Sequence, residues 1–363
     1  MERIVMAKAS WLAENGHKVI IVTTEQNGRA DFYRLHKNIK RIDLDILYSN
    51  TNGMNPLKKA FKRSNRIRLH KKLLSKVVTT EKPDIIISTF GNEIGIVPQL
   101  NYKCPKIAEI HFSRWYRLQL NRKGIWSAID KYLTYKDKKV LSKYDKFIAL
   151  TKEDALNWKD QKNLIVIPNF ISPHTFTHAQ LENKRMIAVG RLSFQKGYDM
   201  MIDAWKIVAK KYPDWRLNIF GSGELKDKIT QQIKKNDLEE QVKIHNPTFD
   251  IINEYVNSSA LLLSSRYEGL PMVLLEAMSV GLPCIAFTCQ CGPKDVIQNN
   301  ENGILVEEGN IDSFANAIIS LIEDNNLRKR LGQQAYKDSK QYTVSDIMPK
   351  WEQLFKELTS NKK

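Results

Sequence analysis

Residues 186–225 read MIAVGRLSFQKGYDMMIDAWKIVAKKYPDWRLNIFGSGEL, and this stretch decides the fold. The short apolar run Met186–Val189 predicts a strand, Gly197–Lys211 a helix and Arg216–Phe220 a second strand. The alternation continues with a helix over Leu225–Asn236, a strand over Val242–Ile244, a helix over Ile251–Ser258 and a strand over Ala260–Leu263. A helix over Met272–Ser279 and a strand over Cys284–Phe287 close the series. Strands alternating with helices predict a doubly wound parallel sheet. Residues 169–344 are therefore expected to form a Rossmann-like domain.

Working outward, the first half alternates less cleanly. Strands are predicted over Lys18–Thr23, Ile85–Ser88, Lys106–Glu109 and Lys146–Ala149, so residues 1–168 read as a second Rossmann-like unit. The boundary falls in Leu164–Phe170. A last helix over Ser345–Leu358 lies beyond the final strand, which sets residues 345–363 apart as a crossover helix. The chain opens in an amphipathic helix, Glu2–Asn15, ended by Gly16. A doubly wound domain should open with a strand and a glycine-rich turn, so the first strand of this unit is expected to be missing.

Composition sets the bounds. A chain of 363 residues exceeds what one hydrophobic core serves and favours two domains. With 42% hydrophobic and 27% charged residues, low-complexity and wholly disordered classes are excluded. No window approaches the roughly 20 apolar residues of a membrane span, and early charges argue against a signal peptide. Four cysteines without CxxC spacing suit neither a disulfide framework nor a zinc site, and point to a reducing cytosol. The net charge of +17 is localised: residues 1–170 hold 33 Lys and Arg against 16 Asp and Glu, whereas residues 171–363 hold 24 of each. The first half is expected to meet an anionic partner.

Three motifs carry chemistry. In SRYEGLPMVLLEAM (Ser265–Met278), Glu268 and Glu276 flank Gly269 and Pro271, and Pro271 suits the first turn of a helix carrying Glu276. Free N–H groups of that turn would face an anion while the carboxylates accept from hydroxyls on either side, as a diphosphate between two sugars requires. In VGRLSFQKGYD (Val189–Asp199), Arg191 and Lys196 follow the first strand of the domain, where a doubly wound fold places its ligand. Their charges suit a departing diphosphate. In FGSGEL (Phe220–Leu225) the third glycine of a dinucleotide fingerprint is absent, because Lys226 stands there. Taken singly, each motif also fits a solvated loop.

In this order and spacing the motifs resemble those of the retaining glycosyltransferases of family four, the glycosyl transferases group 1 of capsule, exopolysaccharide and lipopolysaccharide synthesis. The resemblance implies a GT-B fold, two Rossmann-like domains facing a cleft. It implies Arg191 and Lys196 as diphosphate ligands, Glu268 at the donor-sugar hydroxyls and Glu276 at the ribose. Backbone contacts would come from Gly269 and Leu270, and His111 in IAEIHFSRW would stand near the anomeric carbon. It implies a metal-independent hexosyltransferase without cofactor, taking a nucleotide-sugar, expected to be UDP-linked, to a lipid-linked or growing surface polysaccharide. Two departures stand out. The family's opening strand and glycine-rich loop are not found, so an N-terminally shortened, inactive homologue is the alternative, and Thr288 replaces an acid that capsule-type relatives often carry.

The basic half has its own signal. Nine Lys or Arg and no acid lie between Leu57 and Lys76, with Leu69, Leu73, Leu74 and Val77 on one helical face. Lys58, Lys59, Lys62 and Arg63 are the expected contacts to an anionic membrane and its lipid acceptor, on the cytoplasmic side as a peripheral protein. A further basic cluster runs through Arg114, Arg117, Arg122 and Lys123. Asp43 and Asp45 form a DxD in a strand-like segment and are discounted as a metal site. A nucleic-acid-binding protein is the other alternative, but it explains neither the neutral second half nor the glutamate pair, so no nucleic-acid partner is expected.

Overall fold

The computed structural model describes residues 2–360 apart from residues 31, 32, 34, 52, 121 and 173–177. The amino-terminal half opens with α1 (Glu2–Glu14). Two strands, β1 (Ile20–Thr23) and β2 (Lys40–Asp43), pair in parallel as a sheet of their own. Next comes α2 (Pro56–Glu81), started by Asn55, whose side chain accepts from the Leu57 N–H, and by Pro56 in its first turn. Then follow β3 (Ile86–Ser88), β4 (Lys106–Glu109), α3 (Ile125–Leu141), β5 (Lys146–Ala149), α4 (Lys152–Asn157) and β6 (Leu164–Val166). Strands β3, β4, β5 and β6 pair in that order, all parallel. Among the described residues no ladder joins the two sheets. Strand β1 is half buried along its length, whereas Ile107, Ala108, Phe147 and Ile148 in the middle of the four-stranded sheet are fully buried.

The second half comprises β7 (Arg185–Val189), α5 (Tyr198–Lys211), β8 (Arg216–Phe220), α6 (Lys226–Lys235), β9 (Val242–His245), α7 (Ile251–Val256) and β10 (Ala260–Leu263). It continues with α8 (Met272–Ser279), β11 (Cys284–Phe287), α9 (Pro293–Val296), β12 (Gly303–Val306), α10 (Ile311–Glu323), α11 (Asn325–Ser339) and α12 (Val344–Ser360). Its six parallel strands run in the order β12-β11-β10-β7-β8-β9. The strands are nearly all apolar because helices cover both faces. Winding goes from β7 outward to β9, then restarts on the other side of β7 at β10. The crevice between the ends of β7 and β10 is thus the topological switch point, where open α/β sheets take their ligands.

Helices of the first half divide between the faces of the four-stranded sheet. Leu74 and Val78 of α2 pack with Leu141 of α3, Val97 and Phe147 on one face. On the other, Leu12 of α1 meets Ile107 and Ile148 together with Ile347, Met348, Trp351 and Leu354 of α12. The last helix of the chain therefore returns to the first half. The fold is the expected pair of Rossmann-like domains.

Candidate active site

At the switch point the chain leaving β7 passes Gly190 and the exposed Arg191, then makes a single 3-10 turn, Phe194–Lys196. This turn aims Lys196 at the loop that follows β10. Its ammonium lies 2.5 Å from Glu268 Oε1, and the Ser265 hydroxyl donates to the same oxygen at 2.6 Å. Glu268 is buried, and a buried carboxylate is costly unless paired and hydrogen-bonded, as it is here. The glycines of FGSGEL have a packing role. A Cβ on Gly221 would lie 1.9 Å from the Gly190 carbonyl oxygen and one on Gly223 2.3 Å from that of Leu192, so the two loops touch backbone to backbone.

Helix α8 starts just after Pro271 and is apolar on nearly every side except at Glu276, which is buried in its second turn. The Tyr255 hydroxyl donates to Glu276 Oε2 at 3.3 Å. Burial pushes the Tyr255 phenol far above its ordinary range, so it remains a proton donor. The other oxygen, Oε1, takes the guanidinium of Arg3 from α1. Leu270 is a core residue of the second domain, so its side chain is committed to packing and only its backbone is left for a ligand.

The opposite wall comes from the first domain. His111 follows the end of β4 and is buried, with Nε2 3.4 Å from Glu109 Oε1. The second Glu109 oxygen takes the buried Lys8 ammonium, which also lies 3.8 Å from the centre of the Trp351 ring. Burial alone would push the Glu109 carboxyl up; the charges of Lys8 and His111 overcome it and hold Glu109 well below the usual carboxylate range. Neither ring nitrogen of His111 has a hydrogen bond of normal geometry among the described residues. Gly269 closes the gap between the walls. A Cβ there would sit 2.7 Å from the His111 carbonyl oxygen, nearer than real Cβ atoms come, so only glycine lets the two backbones approach this closely.

The domains also meet beside the cleft. Asp295 of α9 accepts from the Lys152 and Glu153 N–H groups at 2.8 and 3.1 Å, and Lys294 pairs with Glu153 at 2.8 Å. Cys291 faces Asp154 at 3.5 Å; burial pushes its thiol far up.

Lys196, Glu268, Gly269 and His111 are thus brought together, with Glu276 at the far end of α8's first turns. Sequence reasoning missed Lys8, Arg3, Glu109 and Tyr255. The spacing Ile4, Lys8, Leu12 puts Lys8 on the core face of α1, a signal that was there to read; Arg3 gave none. Other expectations need correction. Leu69 is exposed, while Leu73, Leu74 and Val77 do pack toward the core as expected, joined by Val78. Arg63 is exposed but donates to the Asn92 side chain at 3.0 Å. Lys58 and Lys62 are exposed on the first turns of α2, and Lys59 is half-buried. In the cluster around Arg114, Arg114 and Arg117 are half-buried, while Arg122 and Lys123 are exposed. Arg114 packs on the Trp115 and Trp158 rings, Arg117 pairs with Asp137, and Arg122 pairs with Asp130. Asp43 spends its carboxylate on local donors, the Thr23 hydroxyl and the Asn27 N–H, both at 3.0 Å.

This two-walled arrangement can be set beside known proteins. The model for glycosyl transferases group 1 matches residues 174–338, and that for glycosyltransferase family 4 matches residues 1–175. The chain is 30% identical over 356 residues to an uncharacterized glycosyltransferase of Haemophilus influenzae, covering 96% of this chain and 94% of the other. The chain belongs to this glycosyltransferase family. Another relative of the glycosyltransferase is the amylovoran biosynthesis glycosyltransferase AmsD of Erwinia amylovora, 37% identical over 57% of this chain and 61% of its own. Among solved structures, a variant of S. aureus TarM in complex with fondaparinux, alpha-GlcNAc-glycerol and UDP superposes with a TM-score of 0.68 at 26% identity, over 80% of this chain and 59% of TarM. Sucrose-phosphate synthase from Thermosynechococcus elongatus gives 0.83 over 99% of this glycosyltransferase and 93% of its own chain; at 16% identity it shows the GT-B fold alone.

Proposed function

We propose that the protein transfers a hexose from a UDP-linked donor, with retention, to a lipid-linked or growing surface polysaccharide, without a metal ion. The observation that carries this reading is the buried Glu268 paired with Lys196 at the switch point, directly across from His111. The relatives support it: AmsD acts in amylovoran biosynthesis, and the TarM structure contains UDP.

In this reading Arg191 and Lys196 hold the diphosphate, Glu276 the ribose hydroxyls and Glu268 the hydroxyls of the donor sugar, with the backbone of Gly269 and Leu270 completing the cradle. The bond from the anomeric carbon to the diphosphate breaks and one to the acceptor oxygen forms on the same face, with the acceptor proton passing to the departing diphosphate. The cations offset the charge that develops on it, the work a bound metal does elsewhere. His111 stands beside the anomeric carbon, where no other titratable side chain of the first domain is placed by the motifs. Lys58, Lys59, Lys62 and Arg63 meet an anionic bilayer that carries the acceptor, which makes the protein peripheral on the cytoplasmic face of the membrane.

Isothermal titration with UDP tests the donor half. Losing a charged hydrogen bond of roughly 1.5–3 kcal/mol in Glu276→Ala lowers UDP affinity by about one to two orders of magnitude. Unchanged affinity removes Glu276 from the site and this reading with it. Turnover that persists in EDTA is expected.

A further inference from the structure

Among the described residues twelve large hydrophobic side chains are exposed, and eight of them lie on just two helices, α2 and α3. Scattered apolar side chains on a surface mean little, but a concentration of them marks a contact. The fold brings these two helices together in a particular way. Both pack on the same face of the first-domain sheet through their carboxyl-terminal halves, Leu74 and Val78 in one and Leu141 in the other. Each feeds the strand that follows it, so both run antiparallel to the sheet and start at the carboxyl ends of its strands. That is the rim to which His111 also belongs, after the end of β4.

The most exposed apolar residues stand at those starts. Leu57 and Phe61, 84% and 70% exposed, share one side of α2 at a spacing of four, and Ile125 and Trp126, 73% and 53% exposed, occupy the first turn of α3. Tyr132 and Tyr135 follow along α3. The charges between them have one sign. Helix α2 carries nine Lys or Arg against the single acid Glu81, which is taken up by Lys40 and Lys18. Helix α3 has Lys131, Lys136, Lys138 and Lys139, while its two acids are neutralised by Arg117 and Arg122. Among the described residues only Lys138 of these α3 lysines is paired to an acid, Asp160 at 2.6 Å. Aliphatic and aromatic tips set among an excess of cations match the interface of a bilayer with anionic headgroups, where apolar groups enter the acyl boundary and cations meet the lipid charge.

We infer that the starts of α2 and α3 form one membrane-inserting rim, with Leu57, Phe61, Ile125 and Trp126 as the anchors, and that it presents the mouth of the cleft to the surface of an anionic bilayer. This rests on the proposal that α2 meets such a bilayer and adds a second helix and an apolar component to it. The surface attraction of the cations alone is screened by salt over about 8–10 Å, whereas buried apolar side chains hold regardless of salt.

The test is co-sedimentation of the full chain with vesicles of phosphatidylcholine containing phosphatidylglycerol, at low and high salt, with oligomeric state followed by light scattering. The parent is expected to bind and to retain a salt-resistant fraction. The quadruple variant Leu57→Ser, Phe61→Ser, Ile125→Ser, Trp126→Ser should lose that fraction and bind at least tenfold more weakly at high salt. Changing Lys58, Lys59, Lys62 and Arg63 to Gln should cost binding mainly at low salt. Trp126→Phe, the milder variant, should lose the extra fluorescence quenching that the parent shows with brominated lipid. If the serine variant binds as the parent does at both salts, the rim is overturned while the electrostatic reading of α2 survives; if the parent ignores vesicles altogether, both fall. If the parent is instead a dimer that the serine variant dissolves, the face is an interface between copies and the membrane rim is excluded. UDP affinity serves as the folding control for every variant.

Discussion

The two halves of the molecule have the same architecture and opposite characters. The second has one continuous six-stranded sheet, balanced charge and the paired Lys196 and Glu268 on its own loops. The first has a sheet broken into two and four strands, most of the excess positive charge, and functional groups tied into long-range ion pairs. The difference teaches where each kind of stability comes from. The second domain is held by apolar burial around fully buried Trp205, Phe287 and Phe314. The first places the Lys8–Glu109 ion pair inside its core and depends on both partners being present.

That dependence gives the largest expected effect. Lys8→Ala leaves Glu109 buried with only His111 beside it, and stripping one partner from a buried pair typically costs about 3–5 kcal/mol. Urea unfolding should show this loss, and the double variant Lys8→Met, Glu109→Leu should recover much of it. A loss below about 1 kcal/mol in the single variant would erase the contrast between the halves.

Acid should separate the halves in the same direction. Glu109 ionises in the folded protein well below its ordinary value of 4.5, so the stability it contributes is present above that pH and is lost as the pH falls from about 4.5 toward 2. Unfolding followed in that window is expected to begin in the first domain, and Glu109→Gln should flatten the dependence. A transition of unchanged steepness in this variant would show that other carboxylates govern it.

The contrast sharpens further at the contact between the halves. Gly269→Ala pushes against the His111 carbonyl, an element of the other domain, so closure suffers more than the folding of either domain. A fall in turnover of about 10- to 100-fold is expected, roughly 1.4–2.7 kcal/mol on the barrier, with a smaller change in UDP affinity. Equal losses in both would place the damage in the nucleotide pocket itself.

The smallest effect concerns Arg3. It occupies one oxygen of Glu276 and is itself partly exposed, so the pair is worth at most about 1 kcal/mol. Arg3→Ala should raise UDP affinity up to about fivefold by freeing that oxygen. A decrease instead would make Arg3 a ligand, and the first domain a direct contributor to nucleotide binding.

The second domain was legible in the sequence for a physical reason. Its strands are covered on both faces, so they appear as short apolar runs such as Ala260–Leu263 and Cys284–Phe287, each bounded by helices of ordinary period. In the first half, β2 reads Lys-Arg-Ile-Asp with half its residues exposed, and β6 is three residues long, so neither stands out from its surroundings. The candidate site divides in the same way. Glu268 and Lys196 lie in short motifs and pair with each other inside one domain, and Glu276 has one partner there, Tyr255. Glu109 and Lys8 are 101 residues apart, and Arg3 reaches 273 residues to Glu276; no local pattern announces a pairing that only the closed chain creates. The basic run of α2 was visible at once, but not the apolar tips at its start, because a leucine between lysines looks the same in sequence whether it points inward or out.

The contact of Gly269 with His111 has a consequence for timing. Two backbones in touch close the cleft at this point, so if the proposed sugar-nucleotide donor is seated there, the walls part to admit it and part again to release its spent half. On that proposal each catalytic cycle would contain an opening and a closing of the two walls, and such motions limit the turnover of many enzymes with closing lids. Drag from the solvent should be felt by this protein as a brake: raising viscosity with sucrose would slow the steady state while leaving a single turnover from the loaded, shut form at its own pace.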